Sequence, residues 1–294
     1  MKCLPAGSHN PALKPGKLYL VFALLAAVII AAPSCKQSAE KEPEAPAPDS
    51  AVIRRQQQQR IADSLQQVIS SAKKKIYLTF DDGPNAGTMN VLKAVQEEQV
   101  PVTFFVVAKH VYDSPWQTKT WDSMKADVNI EICNHSYSHA GNRYTRFYSS
   151  PQKVIEDFRR SRDSLQLSNR IARMPGRNAW RIDSINHTDV KESRRAIDSV
   201  HLAGFDIMGW DLEWTFNHRT FAPDADTALL FRRMQNLLND SATKTPGHLV
   251  LLAHDQAFRT ERDVQLLKAF FASLKNNPDY ELRLAGTYPG TVKN

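Results

Sequence analysis

At 294 residues the chain is long enough for one large domain or two ordinary ones. Hydrophobic residues make up 42% and charged residues 23%, a balance that excludes a disordered chain and fits a globular protein with a real core. The net charge of +7 includes no like-charge block longer than Lys73-Lys74-Lys75, which argues against nucleic acid as a partner.

Residues 1–34 read as an export signal. A basic region ending at Lys17 precedes LYLVFALLAAVIIAA, an apolar run that is short for a membrane span and right for a signal core. Removing this segment takes away three lysines and no acid, and leaves a charge of +4. The small residues that follow, ending at Cys35, resemble a bacterial lipoprotein signal. That resemblance implies a lipid on Cys35 and a membrane-anchored protein, periplasmic or at the cell surface. Plain signal cleavage and an uncleaved anchor are the alternatives. Cys3 leaves with the signal, so Cys133 stands alone and no disulfide framework exists. Residues 35–50 are rich in Pro, Ala and Glu and form a linker. Residues 51–72 form a Gln-rich helix with Ile61, Leu65, Val68 and Ile69 at helical spacing, a stripe too short for a stable coiled coil.

From Ile76 onward, short β-rich runs alternate with segments of helical period. The predicted strands are 76–80, 102–107, 128–133, 170–174, 205–210, 248–253 and 281–286. Between them lie helical patterns such as TMNVLKAVQEEQ, PQKVIEDFRRSRDSLQL, DADTALLFRRMQNLL and RDVQLLKAFFASL. This alternation argues for a parallel sheet with helices outside, closed or nearly closed into a barrel. The reactive side chains fall at the carboxyl ends of these strands: Asp81 and Asp82, His135 and His139, Arg173, Trp210 and Asp211, and His254. In a βα barrel that face holds the active site.

LTFDDGPN (78–85) places two like charges side by side, although Asp-Gly-Pro alone is ordinary turn chemistry. His135 and His139, four residues apart, share one face if they lie on a helical turn and can grip one metal ion. Two histidines and one carboxylate make a catalytic metal site with open positions. Only one aspartate is needed for that. The other is free to take a proton from an attacking water, with Arg173 as the candidate to relieve their repulsion.

TFDDG, HSYSH, RMPG, WDLEW and LLAH, in that order, resemble the five motifs of the polysaccharide deacetylases of carbohydrate esterase family four, the NodB-type domain, over residues 73–290. The resemblance implies a distorted (β/α)7 barrel that removes acetyl groups from a carbohydrate polymer with a divalent metal. Zn²⁺ is the first choice, with Co²⁺, Ni²⁺ or Mn²⁺ as alternatives. It implies Asp81 as general base, Asp82, His135 and His139 as metal ligands, His254 as general acid and Arg173 as the residue orienting the base. Leu252 would underlie the acetyl methyl and Trp210 would wall the pocket. The substrate implied is an N-acetylhexosamine glycan such as peptidoglycan, handled by a monomer. An O-acetyl polysaccharide, or glycan binding without catalysis, are the alternatives.

Several positions depart from the pattern. Gly176 stands where an aromatic is usual, so its N–H is left to hold the oxyanion, with the groove wall lost or supplied by Trp180. Either Asp211 or Glu213 would support His254. Cys133 replaces a glycine and is expected to be buried packing. Two insertions, 141–150 and 177–195, are longer than plain connections need. The first mixes Tyr144, Phe147 and Tyr148 with Arg143 and Arg146, and would either face sugar or pack on the barrel rim; in the second, His187 is expected to be solvated.

Overall fold

The computed structural model describes residues 50–291, so the expectations for the export segment, Cys35 and the linker lie outside it. Helix α1 (Ser50–Ser71) comes first, and Val52, Ile53 and Ile61 are exposed on it. The side chains of Leu65, Val68 and Ile69 also lie outside the described residues. Among those residues no helix is long and apolar enough to cross a membrane.

Strand β1 (Lys74–Asp81) leads into α2 (Thr88–Glu98), β2 (Val102–Val106), α3 (Ala108–Val111), α4 (Pro115–Lys125) and β3 (Ile130–Asn134). Then come α5 (Tyr144–Tyr148), α6 (Pro151–Leu165) and β4 (Ile171–Ala172). A hairpin of β5 (Ala179–Ile182) and β6 (Ile185–Thr188) precedes α7 (Arg194–Leu202), β7 (Asp206–Ile207) and β8 (Leu212–Glu213). The chain closes with α8 (Thr227–Asn239), β9 (His248–His254), α9 (Glu261–Lys275) and β10 (Tyr280–Arg283). Helix starts follow capping chemistry. Ser114, Asp226 and Thr260 each accept a hydrogen bond from a first-turn N–H, and Pro115 and Pro151 occupy first-turn positions that need no donor.

All strands pair in one sheet, in the order β6-β5-β7-β4-β3-β2-β1-β9-β8, with β10 beside the first half of β1. Pairing is parallel except in the β5–β6 hairpin and between β5 and β7. This is the expected distorted barrel, left open between β6 and β8. The hairpin falls in the 177–195 insertion and places His187 on β6 rather than in a loop.

Both faces of β1 are buried, and alternation divides its side chains. Ile76, Leu78 and Phe80 join the core beneath α2 and α9, whereas Tyr77 points to the inner cluster of Phe105, Cys133, Trp180, Val250 and Tyr288. Cys133 is therefore core packing, as expected. Burial drives its thiol well above the usual range. The parallel register of β1 and β9 sets Asp81 beside His254 and Thr79 beside Leu252, so each pair faces the same side.

Candidate active site

Asp81 ends β1 and is buried, and Asp82 begins the turn with a φ of 75°. The Nδ1–H of His110 donates to the Asp82 carbonyl at 2.8 Å and holds that backbone. Beyond it, the side chains of Asn85 and Thr88 both bond the carboxylate of Asp255, which follows His254. Burial pushes the Asp255 carboxyl up to about 7 against these donors. A Cβ on Gly83 would lie 2.6 Å from Asp255 Oδ2, and one on Gly87 only 1.8 Å from the Asp255 carbonyl. Glycine is needed where the loop presses on its neighbour. The turn chemistry thus belongs to residues 83–88, while the two aspartates face the cleft.

His135 is buried just past β3. Its Nδ1 lies 2.9 Å from the Arg173 carbonyl, which can only accept, so Nδ1 carries the proton and Nε2 is left as a lone pair. That Nε2 stands 3.5 Å from Asp82 Oδ1 and 3.6 Å from Asp81 Oδ2. The Nε2 of His139 is 3.1 Å from Asp82 Oδ1. The expectation of a helical turn between the histidines is corrected. Ser136 and His139 have φ of 67° and 49°, so the chain leaves β3 through an irregular loop and meets a 3-10 turn only at His139. Asp157 fixes this loop by accepting from the N–H groups of Tyr137 and Ser138, each at 3.0 Å.

One atom each of Asp82, His135 and His139 lies within 4.8 Å of the others. Asp82 Oδ1 is buried and no hydrogen bond of good geometry reaches it. A lone pair and a carboxylate oxygen facing one another repel unless a cation lies between them, so this donor set fits a divalent metal. Burial opposes the charge on Asp82, but positive charge on the side of the two imidazoles, carried by their own ring protons when no cation is held there, outweighs it and holds the carboxyl well below the ordinary range.

Asp81 is held differently. Arg173 is fully buried and its Nη1 donates to Asp81 Oδ1 at 2.8 Å. Arg173 also donates to Thr79 Oγ1 and to the carbonyls of Met208 and Gly209, and its guanidinium lies 4.0 Å above the Phe105 ring. With Oδ1 occupied, Oδ2 remains to face the cleft.

The cleft, of ≈ 750 Å³, is lined by Asp81, Asp82, His135, His139, His254 and Leu252, with Gly176 and Trp210 at its sides. His254 Nε2 is 4.0 Å from Asp82 Oδ2, and Nδ1 is 4.0 Å from Glu213 Oε1. Of the two candidate supports for His254, Glu213 is the one that faces it. Asp211 is engaged elsewhere: its carboxylate accepts from the N–H groups of Lys244 and Val250 at 2.7 and 2.8 Å and ties down the approach to β9. The placement of Trp180 at the groove is also corrected. It is fully buried, its indole N–H bonds Asn178 Oδ1, and its ring packs against Tyr288. A strand that alternates between faces carries it into the core.

Two contributors were not singled out in the sequence. Phe216, after β8, sets its ring 5.3 Å from that of His254. His110 steadies the turn at Asp82. Neither sits within a motif, and only the folded chain brings them there.

Residues 69–176, a little over a third of the chain, match the family model described as polysaccharide deacetylase. Among curated proteins, a chitooligosaccharide deacetylase of Rhizobium leguminosarum bv. phaseoli is 37% identical over 70 residues, 24% of this chain and 29% of that one. A peptidoglycan-N-acetylglucosamine deacetylase of Bacillus cereus is 26% identical over 186 residues, 62% of this chain and 60% of that one. The matches thus span less than two thirds of these relatives. Among solved structures, the catalytic domain of a peptidoglycan N-acetylglucosamine deacetylase from Eubacterium rectale superposes with a TM-score of 0.54 at 21% identity, over 76% of this chain and 94% of that one. A family 4 esterase of Streptococcus mutans gives 0.51 at 21% identity, over 76% and 90%. The fold is that of the family 4 carbohydrate esterases.

Proposed function

We propose that the chain is a metal-dependent carbohydrate deacetylase acting on N-acetylhexosamine units of a cell-envelope glycan. The observation that carries this reading is the unequal treatment of two adjacent aspartates. One is clamped by a buried arginine and the other faces two imidazoles. A divalent cation held by Asp82, His135 and His139, with Zn²⁺ suited to this donor set, would polarise the acetyl carbonyl and acidify the attacking water.

The remaining steps belong to the protein. Asp81 Oδ2 takes a proton from water as its oxygen bonds to the acetyl carbon. Arg173 holds that carboxylate in place and balances its charge. The backbone N–H of Gly176 serves the developing oxyanion. His254, whose Nδ1 faces Glu213 at 4.0 Å, gives a proton to the leaving nitrogen as the C–N bond breaks. Acetate and a free amine are the products. Leu252 floors the site for the methyl group, and Trp210 walls it.

The test is acetate release by the full chain from a β-1,4-linked N-acetylglucosamine tetramer and from O-acetylated xylan. Release from the tetramer, lost on chelation and restored by Zn²⁺ or Co²⁺, is the expected result. Release from xylan alone would move the reading to an O-acetyl esterase, and release that survives exhaustive chelation would overturn the metal assignment.

We propose further that Cys35 carries a lipid anchor, because an apolar run and small residues lead up to it. Cys35→Ala should shift the protein from the membrane fraction to the soluble one. Unchanged membrane association would contradict this.

A further inference from the structure

Gly176 leaves a gap in the cleft wall, since a residue without a side chain stands beside the proposed acetyl site. The gap is filled from another part of the chain. Tyr144, in the 141–150 insertion, lies over it: a Cβ built on Gly176 would meet Tyr144 Cε1 at 3.0 Å and Cζ at 3.1 Å. The φ of 60° at Gly176 disfavours any side chain there as well. The ring lines the cleft and stands perpendicular to that of His139, with centroids 5.8 Å apart and planes at 86°.

The mount of this ring is rigid. Helix α5 carries both Tyr144 and Tyr148, and the buried Tyr148 hydroxyl donates to the Pro175 carbonyl at 2.7 Å. This ties the insertion to the residue before Gly176. The Arg177 guanidinium lies 5.6 Å from the Tyr144 ring centre and 5.3 Å from that of Tyr148. Arg177 also donates to the Gly176 carbonyl and to Ser193 Oγ. Tyr144 is only partly buried, and among the described residues no hydrogen bond takes up its hydroxyl. An aromatic ring held by its neighbours, partly exposed where it lines the cleft and with its hydroxyl free, suits the apolar face and hydroxyls of a pyranose.

We propose that Tyr144 is the sugar-binding wall of this site, a specificity residue supplied by the insertion in place of a side chain at 176. The proposal rests on the deacetylase reading and adds to it the residue that selects a sugar carrier over a bare acetyl group. Because the ring contacts the sugar and not the reacting atoms, its contact is equal in ground and transition states. It therefore acts on KM and not on kcat.

The experiment compares wild type, Tyr144→Ala and Tyr144→Phe as full chains. Two substrates are used: the N-acetylglucosamine tetramer, and 4-nitrophenyl acetate, which has no sugar. For Tyr144→Ala, KM for the tetramer should rise about tenfold, with kcat within about threefold, as loss of uniform binding requires. Hydrolysis of 4-nitrophenyl acetate should be unchanged in both variants, and Tyr144→Phe, which keeps the ring and loses only the hydroxyl, should raise KM for the tetramer by less than Tyr144→Ala does. An unchanged KM in Tyr144→Ala, or a parallel loss on both substrates, would overturn the proposal, the second by showing that Tyr144 only props His139. If wild type releases no acetate from the tetramer, the deacetylase reading fails by itself. The wall is then read by titrating the tetramer into wild type and Tyr144→Ala. Binding that weakens about tenfold in the variant supports it, whereas equal binding, or none by wild type, overturns it.

Discussion

Asp81→Asn is expected to lower the rate of acetate release by about two to four orders of magnitude, the scale of losing a general base. The fold should survive. An asparagine oxygen can still accept from Arg173 Nη1, and the side chain keeps its size at a buried position. What disappears is the proton acceptor at Oδ2. Steady-state kinetics on the tetramer, alongside a thermal melt of the same preparation, check both halves. A variant that melts like wild type and turns over at near-wild-type rates would remove Asp81 from the mechanism.

Arg173→Met should be the most destabilising single change near the site. It strips the partner from a buried carboxylate, a loss of about 3–5 kcal/mol for a broken buried ion pair. Part of that cost is specific to Asp81 and part to the hydrogen bonds with Thr79 and the Met208 and Gly209 carbonyls. In an Asp81→Asn background the carboxylate charge is already gone, so the same arginine substitution should cost about 1–3 kcal/mol less, the usual coupling of contacting residues. Urea unfolding of the four proteins closes the cycle. Equal costs in both backgrounds would mean that Arg173 serves the fold and not the aspartate.

The sequence made the strand-end geometry legible because strands carry two strong signals, apolar β-rich runs and turn residues at their ends. All seven predicted strands are present, though 170–174 and 205–210 shrink to Ile171–Ala172 and Asp206–Ile207 where loops take over the backbone. The β5–β6 hairpin escaped because its residues lie in a stretch of mixed polarity between longer patterns. The path between His135 and His139 escaped for a different reason. A four-residue spacing is compatible with a helical turn, but positive φ at Ser136 and His139 is imposed by Asn134, Asp157 and the end of β3.

Aromatic identity misled at Trp180 and left Tyr144 open. A large indole near a motif looks like a wall, yet strand alternation buries it, whereas the insertion packs Phe147 and Tyr148 against the core and brings the Tyr144 ring to the cleft. Asp211 and Glu213 illustrate the same limit. Two residues apart, they are interchangeable in sequence, and only the N–H groups of Lys244 and Val250 show which one is already engaged.

The division of labour between the adjacent aspartates is tested most directly by metal content and acetate release on paired preparations of Asp81→Asn and Asp82→Asn. Asp82→Asn removes a charged ligand, so bound metal and activity should fall together, whereas Asp81→Asn should keep a full equivalent of metal while its activity is lost. Equal loss of metal from both variants, or full metal in Asp82→Asn, would contradict the assignment.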